Sequence, residues 1–151
     1  MHSTISIELI EFMKINTKVR YGLRAMIEIA QNTEGVLQKD IAKRQEIPLK
    51  YLDSLITSLR NAGLIVNLSG RGSGYILAEN HENITVYDIY RAFEPELALV
   101  NCFCATNECR QTNICPTKDY WFELNNKIKS TMTGSKLSDL ITKNKEIKIE
   151  N

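Results

Sequence analysis

The sequence has 151 residues, of which 43% are hydrophobic, and a formal net charge of +1, so it is long enough for one compact domain or two small cooperating ones. Its apolar runs are far shorter than the roughly 18–20 residues that a membrane span needs. The first twelve residues contain no lysine or arginine but do contain Glu8 and Glu11, so no secretory signal is visible. We therefore expect a cytoplasmic protein with no membrane partner.

The net charge is unevenly distributed along the chain. Residues 13–80 contain ten Lys and Arg against six Asp and Glu, whereas residues 81–116 contain two against five. A mildly basic first half joined to an acidic middle is typical of a nucleic-acid-facing part attached to something else. A solvated surface without a partner would give the same charge pattern.

The first two predicted elements are helices. Apolar residues recur at helical spacing after Thr17, which we expect to be the N-cap. They are Val19, Leu23, Met26, Ile27 and Ala30. Gly35 interrupts this helix, and residues 37–45 then predict a short second helix with Ile41 and Ala42 facing inward, which ends at the sequence EIP.

A third helix is predicted from Pro48 to Ala62, because proline fits the first turn of a helix and Gly63 is a typical C-terminal stop. Its apolar stripe consists of Leu52, Leu55, Ile56 and Leu59. A second face collects polar side chains at helical spacing, which are Lys50, Asp53, Ser54 and Thr57. One face therefore packs, and the other is free to read a partner or is simply solvated.

A β-hairpin is predicted directly after the third helix. LIVNL (64–68) and YILA (75–78) read as strands, and the glycine-rich SGRGSG (69–74) reads as the turn between them. Helix, short helix, turn, helix and hairpin is the element order of a winged helix-turn-helix. We therefore predict a mainly α fold with a small β-hairpin wing, in which the third helix enters the major groove of DNA.

Three more helices are predicted in the second half of the chain. Residues 84–94 form a fourth helix, with Thr85 as N-cap and Asp88 completing a capping box. A long helix over residues 117–132 carries an apolar stripe of Trp121, Leu124, Ile128 and Met132. Residues 135–141 form a final short helix capped by Ser135.

All four cysteines lie in one polar loop, NCFCATNECRQTNIC (101–115). In a reducing compartment such a cluster more often binds metal or senses redox state than forms structural disulfides. No C-x-x-C pair occurs, which disfavours both a zinc knuckle and a thiol oxidoreductase, and no phosphate-binding loop or catalytic triad is visible. We therefore expect no enzyme. His2 and His81 are expected to be surface residues without a role.

Three segments together resemble a known family. They are MKINTKVRYGLRAM (13–26), IAKRQEIPLKYLDSLITSLRNAGLI (41–65) and GRGSGYILA (70–78). They resemble the winged-helix repressors typified by the iron–sulfur cluster regulator IscR, the nitric-oxide sensor NsrR and the cysteine-metabolism regulator CymR. The resemblance covers about residues 13–142 and implies a DNA-binding transcriptional regulator, expected to be a repressor. Residues 1–12 would be an N-terminal extension.

The resemblance implies a DNA-contacting set. It consists of Lys50, Tyr51, Asp53, Ser54 and Thr57 on the third helix, Arg71 at the wing tip, and Lys18 and Arg20 as phosphate contacts. Lysine reaches phosphate or a guanine edge, and aspartate accepts from the cytosine amino group. Relatives often carry Arg just before the wing glycine, where this chain has Ser69, so Arg71 is the candidate substitute.

The resemblance also implies an iron–sulfur cluster. Cys104, Cys109 and Cys115, followed shortly by a tryptophan, match the pattern of the cluster regulators, with Cys102 as fourth ligand or substitute. In that pattern the residue three after the last cysteine is a histidine ligand, but here it is Lys118, which has no lone pair for iron. Asp119, or a residue of helix one from the partner subunit, is an alternative ligand. The choice between a two-iron and a four-iron cluster stays open.

The long helix is implied to be the dimerisation helix of a homodimer. Its stripe, Trp121, Leu124, Ile128 and Met132, would then meet its two-fold mate, as a two-fold-symmetric double-stranded DNA operator requires, although an ordinary core gives the same stripe. We accordingly divide the chain into a DNA-binding domain (13–80) and a part with the cysteine loop and dimerisation helices (81–145). The alternative function is a winged-helix regulator that responds to zinc, thiol oxidation or a small molecule without a cluster.

Overall fold

The computed structural model describes residues 15–69, 72, 74–100 and 114–150. These ranges contain six helices and a two-stranded antiparallel sheet: α1 (Thr17–Ala30), α2 (Gln38–Gln45), α3 (Leu49–Asn61), β1 (Ile65–Asn67), β2 (Tyr75–Leu77), α4 (Val86–Arg91), α5 (Lys118–Gly134) and α6 (Leu137–Glu150). None of the helices in these ranges combines the length and apolar composition needed to cross a lipid bilayer. The predicted mainly α fold with a β-hairpin wing is confirmed.

The N-terminal caps of α1 and α4 have different outcomes. The prediction of Thr17 as the cap of α1 is wrong by one residue, because the side chain of Asn16 accepts a hydrogen bond from the Lys18 amide at 2.9 Å. The predicted capping box of α4 is confirmed. Its Thr85 Oγ1 accepts from the Asp88 amide at 3.0 Å, and Asp88 Oδ2 accepts from the Thr85 amide at 2.8 Å. The helix itself is shorter than predicted.

The last helix differs most from its prediction. It begins at Leu137 and continues to Glu150, so the predicted end at residue 141 is wrong. Ser135 belongs to the end of α5, where its hydroxyl donates to the Thr131 carbonyl at 2.8 Å. Asp139 accepts from the Lys136 amide at 2.8 Å at the start of α6. Residues 142–150 contain neither glycine nor proline, so nothing local stops the helix.

One hydrophobic core joins the first and last parts of the chain. Ile84, Ile89, Leu137 and Ile141 are buried in the same cluster as the inward faces of α1, α2 and α3. The α6 helix lies against α1, and Asn144 donates to the Gln31 side chain at 3.3 Å. Both predicted parts, 13–80 and 81–145, therefore contribute to this core, and their division stays a prediction about function.

The two strands of the hairpin pair with each other, and β2 also pairs with Val36, just before α2. Ile65 pairs with Leu77 and Asn67 pairs with Tyr75. Tyr75 also exchanges two backbone hydrogen bonds with Val36, at 2.9 and 3.1 Å. Gly74 lies in the left-handed region at φ 79°, and a Cβ there would stand 2.3 Å from the Val36 carbonyl oxygen. The position therefore requires glycine.

Candidate nucleic-acid interface and cysteine site

The α3 helix presents one buried and one exposed face, as predicted. Its apolar stripe of Leu52, Leu55, Ile56 and Leu59 is at most 2% exposed. Its polar side chains Lys50, Asp53, Ser54 and Thr57 are all exposed. The structure therefore brings these four residues together on one accessible surface, which we call the α3 polar face. Their contact with DNA stays a prediction.

Hydrogen bonds orient the polar groups of this face. The hydroxyls of Ser54 and Thr57 donate to the carbonyls of Tyr51 and Asp53, at 2.8 and 2.9 Å, respectively. Because their protons are used within the helix, these hydroxyl oxygens are left as acceptors for an external donor. The Gln38 amide donates to Asp53 at 3.2 Å. Gln38 was not predicted as a site residue, and its place at the start of the second helix is the only sequence feature that could have indicated it.

The structure describes three of the other four predicted contact residues. Tyr51 is half-buried, because its ring meets the Tyr21 ring edge-on with centroids 5.8 Å apart. Lys18 and Arg20 are exposed in the first turn of α1, where their charges are available to phosphate. Arg71 lies outside the described residues.

A buried carboxylate fixes α2 against α1. Glu28 is only 5% exposed and accepts hydrogen bonds from Arg44 at 2.7 Å, Gln45 at 3.0 Å and Asn32 at 3.2 Å. Burial alone would raise the pKa of Glu28, but the hydrogen bonds from Arg44 and Gln45 and the charge of Arg44 outweigh it. The pKa therefore lies below its ordinary value of 4.5. This network sets the position of α2, and α2 in turn sets the position of α3.

Cys115 stands just before the N-terminus of α5. Its Sγ lies 3.4 Å from the Thr117 hydroxyl, and hydrogen bonds from Thr117, with the amide and charge of Lys118, lower the pKa of the thiol. The thiolate is the form that ligates metals. Lys118 thus favours the thiolate form of Cys115, although its own ammonium group has no lone pair for a metal. Cys102, Cys104 and Cys109 lie outside the described residues.

The potential metal ligands of the described ranges do not by themselves form a site. No group of three or more His, Cys, Asp or Glu side chains there could hold a metal ion. Asp119 lies in the first turn of α5. His81 is half-buried rather than on the surface as predicted, and its Nδ1 is enclosed without a hydrogen-bond partner among the described residues.

The segment that leads into the cysteine loop is tied to α5. Asn125 is 8% exposed, and its side chain donates to the Leu97 carbonyl at 3.1 Å and accepts from the Leu99 amide at 3.0 Å. Lys129 and Glu96 form an ion pair beside this contact. The segment just before the cysteine loop therefore contacts α5 at Asn125, and Cys115, the last residue of the loop, lies just before the start of α5.

The predicted dimer stripe divides into two parts. Ile128 and Met132 pack against a cluster of Val19, Tyr90 and Leu97 in their own chain. Trp121 and Leu124 are half-buried. Tyr120 and Phe122, which were not predicted as interface residues, also lie on α5 and are 61% and 55% exposed. The apolar surface available to a partner therefore lies toward the N-terminal half of α5.

A helix-turn-helix with an exposed polar face on its second helix, followed by a hairpin, defines a winged helix-turn-helix protein. The model of the Rrf2 family, described as an iron-dependent transcriptional regulator, matches residues 15–143. The chain belongs to the Rrf2 family of transcriptional regulators and is not an enzyme.

Relatives and solved structures agree with this family. The protein Rrf2 of Nitratidesulfovibrio vulgaris is 37% identical over 131 residues, covering 85% of this chain and 87% of that protein. The regulator IscR of Vibrio parahaemolyticus is 30% identical over 139 residues, covering 91% and 82%.

The solved structure of CymR, the global cysteine regulator of B. subtilis, superposes with a TM-score of 0.68 at 30% identity, covering 87% of this chain and 98% of that one. The structure of T. potens IscR gives a TM-score of 0.71 at 32% identity, covering 89% and 90%.

Proposed function

We propose that this chain is a homodimeric repressor that binds a double-stranded DNA operator and adjusts its affinity through an iron–sulfur cluster held by the cysteine loop. The α3 polar face and the wing read the operator, with Lys18 and Arg20 on phosphates. The observation that carries this proposal is a series of contacts that runs from the segment before the cysteine loop through α5 to α1. The segment just before the cysteine loop hydrogen-bonds to Asn125 of α5, Cys115 lies just before α5, and α5 and α1 share the Val19 cluster.

The DNA-binding part of this proposal follows from the chemistry of the exposed face. Lys50 is a cation for phosphate or guanine, Asp53 is an acceptor for a cytosine amino group, and the hydroxyl oxygens of Ser54 and Thr57 are acceptors as well. The Gln38 hydrogen bond restricts Asp53 before any DNA arrives. Preorganisation of this kind lowers the ordering cost of binding.

The cluster part rests on the donor set. Cys109 and Cys115 are proposed as fixed ligands, Cys104 as the third, and Cys102 as the fourth or a substitute, with Asp119 or a partner residue as alternatives. Thiolate donors fit iron, and the lowered pKa of the Cys115 thiol favours the form that binds. A bound cluster would make the protein sensitive to oxidants and to the availability of iron.

The dimer places two α3 helices on a two-fold operator. Trp121 and Leu124, with the exposed rings of Tyr120 and Phe122, are the surface we propose for this contact. A half-site spacing of about 34–36 Å would follow from binding successive turns of one DNA face.

A second candidate function is thiol-based or zinc-based sensing without a cluster. The observation that favours it is the same lowered pKa of Cys115, because a stabilised thiolate is also more easily oxidised and binds zinc. Iron and sulfide content separate the two candidates.

Anaerobic reconstitution with iron and sulfide tests the ligand assignment. We expect Cys109→Ala and Cys115→Ala to abolish cluster binding, Cys104→Ala to remove most of it, and Cys102→Ala to have a smaller effect. Ile114→Ala is the matched control, because Ile114 is 79% exposed and adjacent to Cys115. A parent protein without iron or sulfide refutes the cluster, and normal content in the Cys109 or Cys115 variant refutes the site.

A further inference from the structure

We propose that Leu49 determines part of the operator specificity by contacting the 5-methyl group of a thymine in the major groove. This inference rests on the proposed DNA-binding function of α3 and adds a residue that reads DNA without a hydrogen bond. Leu49 is the first residue of α3 and is 52% exposed. The other three leucines of that helix, Leu52, Leu55 and Leu59, are at most 1% exposed.

Packing in the hydrophobic core does not explain why position 49 is a leucine. The hydrophobic contact that commonly fixes the start of a helix joins the residue before the N-cap to the fourth helical residue, and here those positions are Ile47 and Leu52. Both belong to the buried cluster. Leu49 belongs neither to that cluster nor to the partly buried side chains around it. Leu49 therefore stands 52% exposed at a position that the hydrophobic core does not use.

The position of Leu49 matches base reading. The N-terminal residues of a recognition helix are those that reach base edges. Leu49 precedes Asp53 by four residues, so the two side chains lie one above the other on the same side of α3. It also adjoins Lys50 at the edge of the α3 polar face.

The chemistry of the groove names the contact. The base pairs present hydrogen-bond donors and acceptors in the major groove, to which thymine adds an apolar methyl group. A leucine side chain has no donor or acceptor, so the methyl group is the base feature that it can recognise. Asp53 and its neighbours would recognise polar base edges, and Leu49 would provide specificity for one thymine in each half-site.

A double-mutant cycle that combines Leu49→Ala with the removal of single thymine methyl groups tests this inference. The probe is the tightest-binding duplex selected by the parent protein from random-sequence DNA. Each thymine of one half-site is replaced in turn by deoxyuridine, which removes only the methyl group. We expect the parent to lose about 4-fold in affinity at one position, as the removal of one buried methyl group predicts. Leu49→Ala should bind the methylated duplex more weakly and show no further loss at that position.

Two other variants make the result interpretable. Ile149→Ala shortens another exposed apolar side chain, on α6, where Ile149 is 84% exposed. It should keep the parent's full response to deoxyuridine. Lys50→Ala should weaken binding to the selected duplex whether or not the methyl groups are present.

The outcomes separate this inference from the proposed function. If Lys50→Ala binds weakly but Leu49→Ala keeps the parent's sensitivity at every thymine, Leu49 does not read a methyl group although α3 binds DNA. If neither variant changes affinity, the assignment of α3 as the reading helix is also wrong. Loss of the sensitivity at one thymine only, in Leu49→Ala only, supports the contact.

Discussion

At the scale of single residues, Glu28 shows how a buried charge can position a binding helix. Its carboxylate is held by Asn32 in the turn after α1 and by Arg44 and Gln45 in α2. Arg44 keeps its side chain 52% exposed, so one partner stays hydrated while the other is buried. A buried carboxylate without these donors would be unfavourable, so the network specifies one arrangement of the two helices.

We expect Glu28→Gln to lower the free energy of unfolding by about 1–3 kcal/mol at pH 7, because the new amide nitrogen faces existing donors. The pKa of Glu28 is lowered by folding, so its contribution is fully present above the ordinary value of 4.5 and is lost as the pH falls through the lower folded pKa. The difference between parent and variant should therefore shrink on acidification. Urea unfolding at several pH values measures it.

Glu34→Gln is the control for this experiment, since Glu34 is exposed in the turn after α1. It should leave the free energy of unfolding nearly unchanged. Equal stabilities of the parent and Glu28→Gln at pH 7 would show that the network does not fix α2.

At the scale of elements, Asn125 connects α5 to the segment that enters the cysteine loop. The side chain satisfies one backbone carbonyl and one backbone amide, at Leu97 and Leu99, which lie 26 to 28 residues away in sequence. It is buried, so water does not readily replace these two hydrogen bonds. The segment is therefore positioned by one side chain rather than by a regular element.

We predict that Asn125→Leu costs about 1–3 kcal/mol of stability, because two backbone groups lose their partner. Amide hydrogen exchange at Leu99 should accelerate by more than the global change in stability explains. Asn126→Leu is the matched control, because Asn126 is adjacent and exposed. Unchanged exchange at Leu99 in the Asn125 variant would mean that this side chain does not hold the segment.

The contrast between α3 and Asn125 shows what the sequence could and could not predict. The two faces of α3 follow from helical periodicity, and the capping box of α4 lies within four residues, so local patterns were sufficient for both. The hydrogen bonds of Asn125 and of Gln38 join distant residues, and no periodicity marks them.

The errors at Thr17 and Ser135 have a different cause. Thr17 has a competing polar neighbour, Asn16, and only the folded geometry decides which of the two caps α1. Ser135 is instead the C-cap of α5, and α6 begins two residues later. The wing tip and three of the four cysteines are identified by pattern alone, since they lie outside the described residues.

At the scale of the whole molecule, the proposed dimer explains why α5 leaves large apolar side chains in water. Tyr120 and Phe122 are more than half-exposed, and Trp121 and Leu124 beside them are half-buried. Ile128 and Met132 already have partners in their own chain. A contact through the first half of α5 would bury the former set without disturbing the latter.

We predict that Leu124→Glu produces monomers, because a carboxylate would be buried against apolar atoms of the second copy. Ser130→Glu adds the same charge at an exposed position in the second half of α5, outside the proposed surface, and should remain dimeric. Sedimentation at several concentrations, with circular dichroism to verify the helix content, distinguishes the two variants. A folded Leu124→Glu dimer of unchanged affinity would place the interface elsewhere.

The most direct test of the proposed regulator is the operator dissociation constant of a single anaerobic preparation, measured after reconstitution with iron and sulfide and again after removal of the iron. We expect the two states of the parent to differ by about 5-fold or more, in the range of ordinary coupling between two binding sites. Cys115→Ala should give one constant under both conditions. Equal dissociation constants for the two states of the parent, with iron and sulfide bound in the first, would contradict regulation through the cysteine loop.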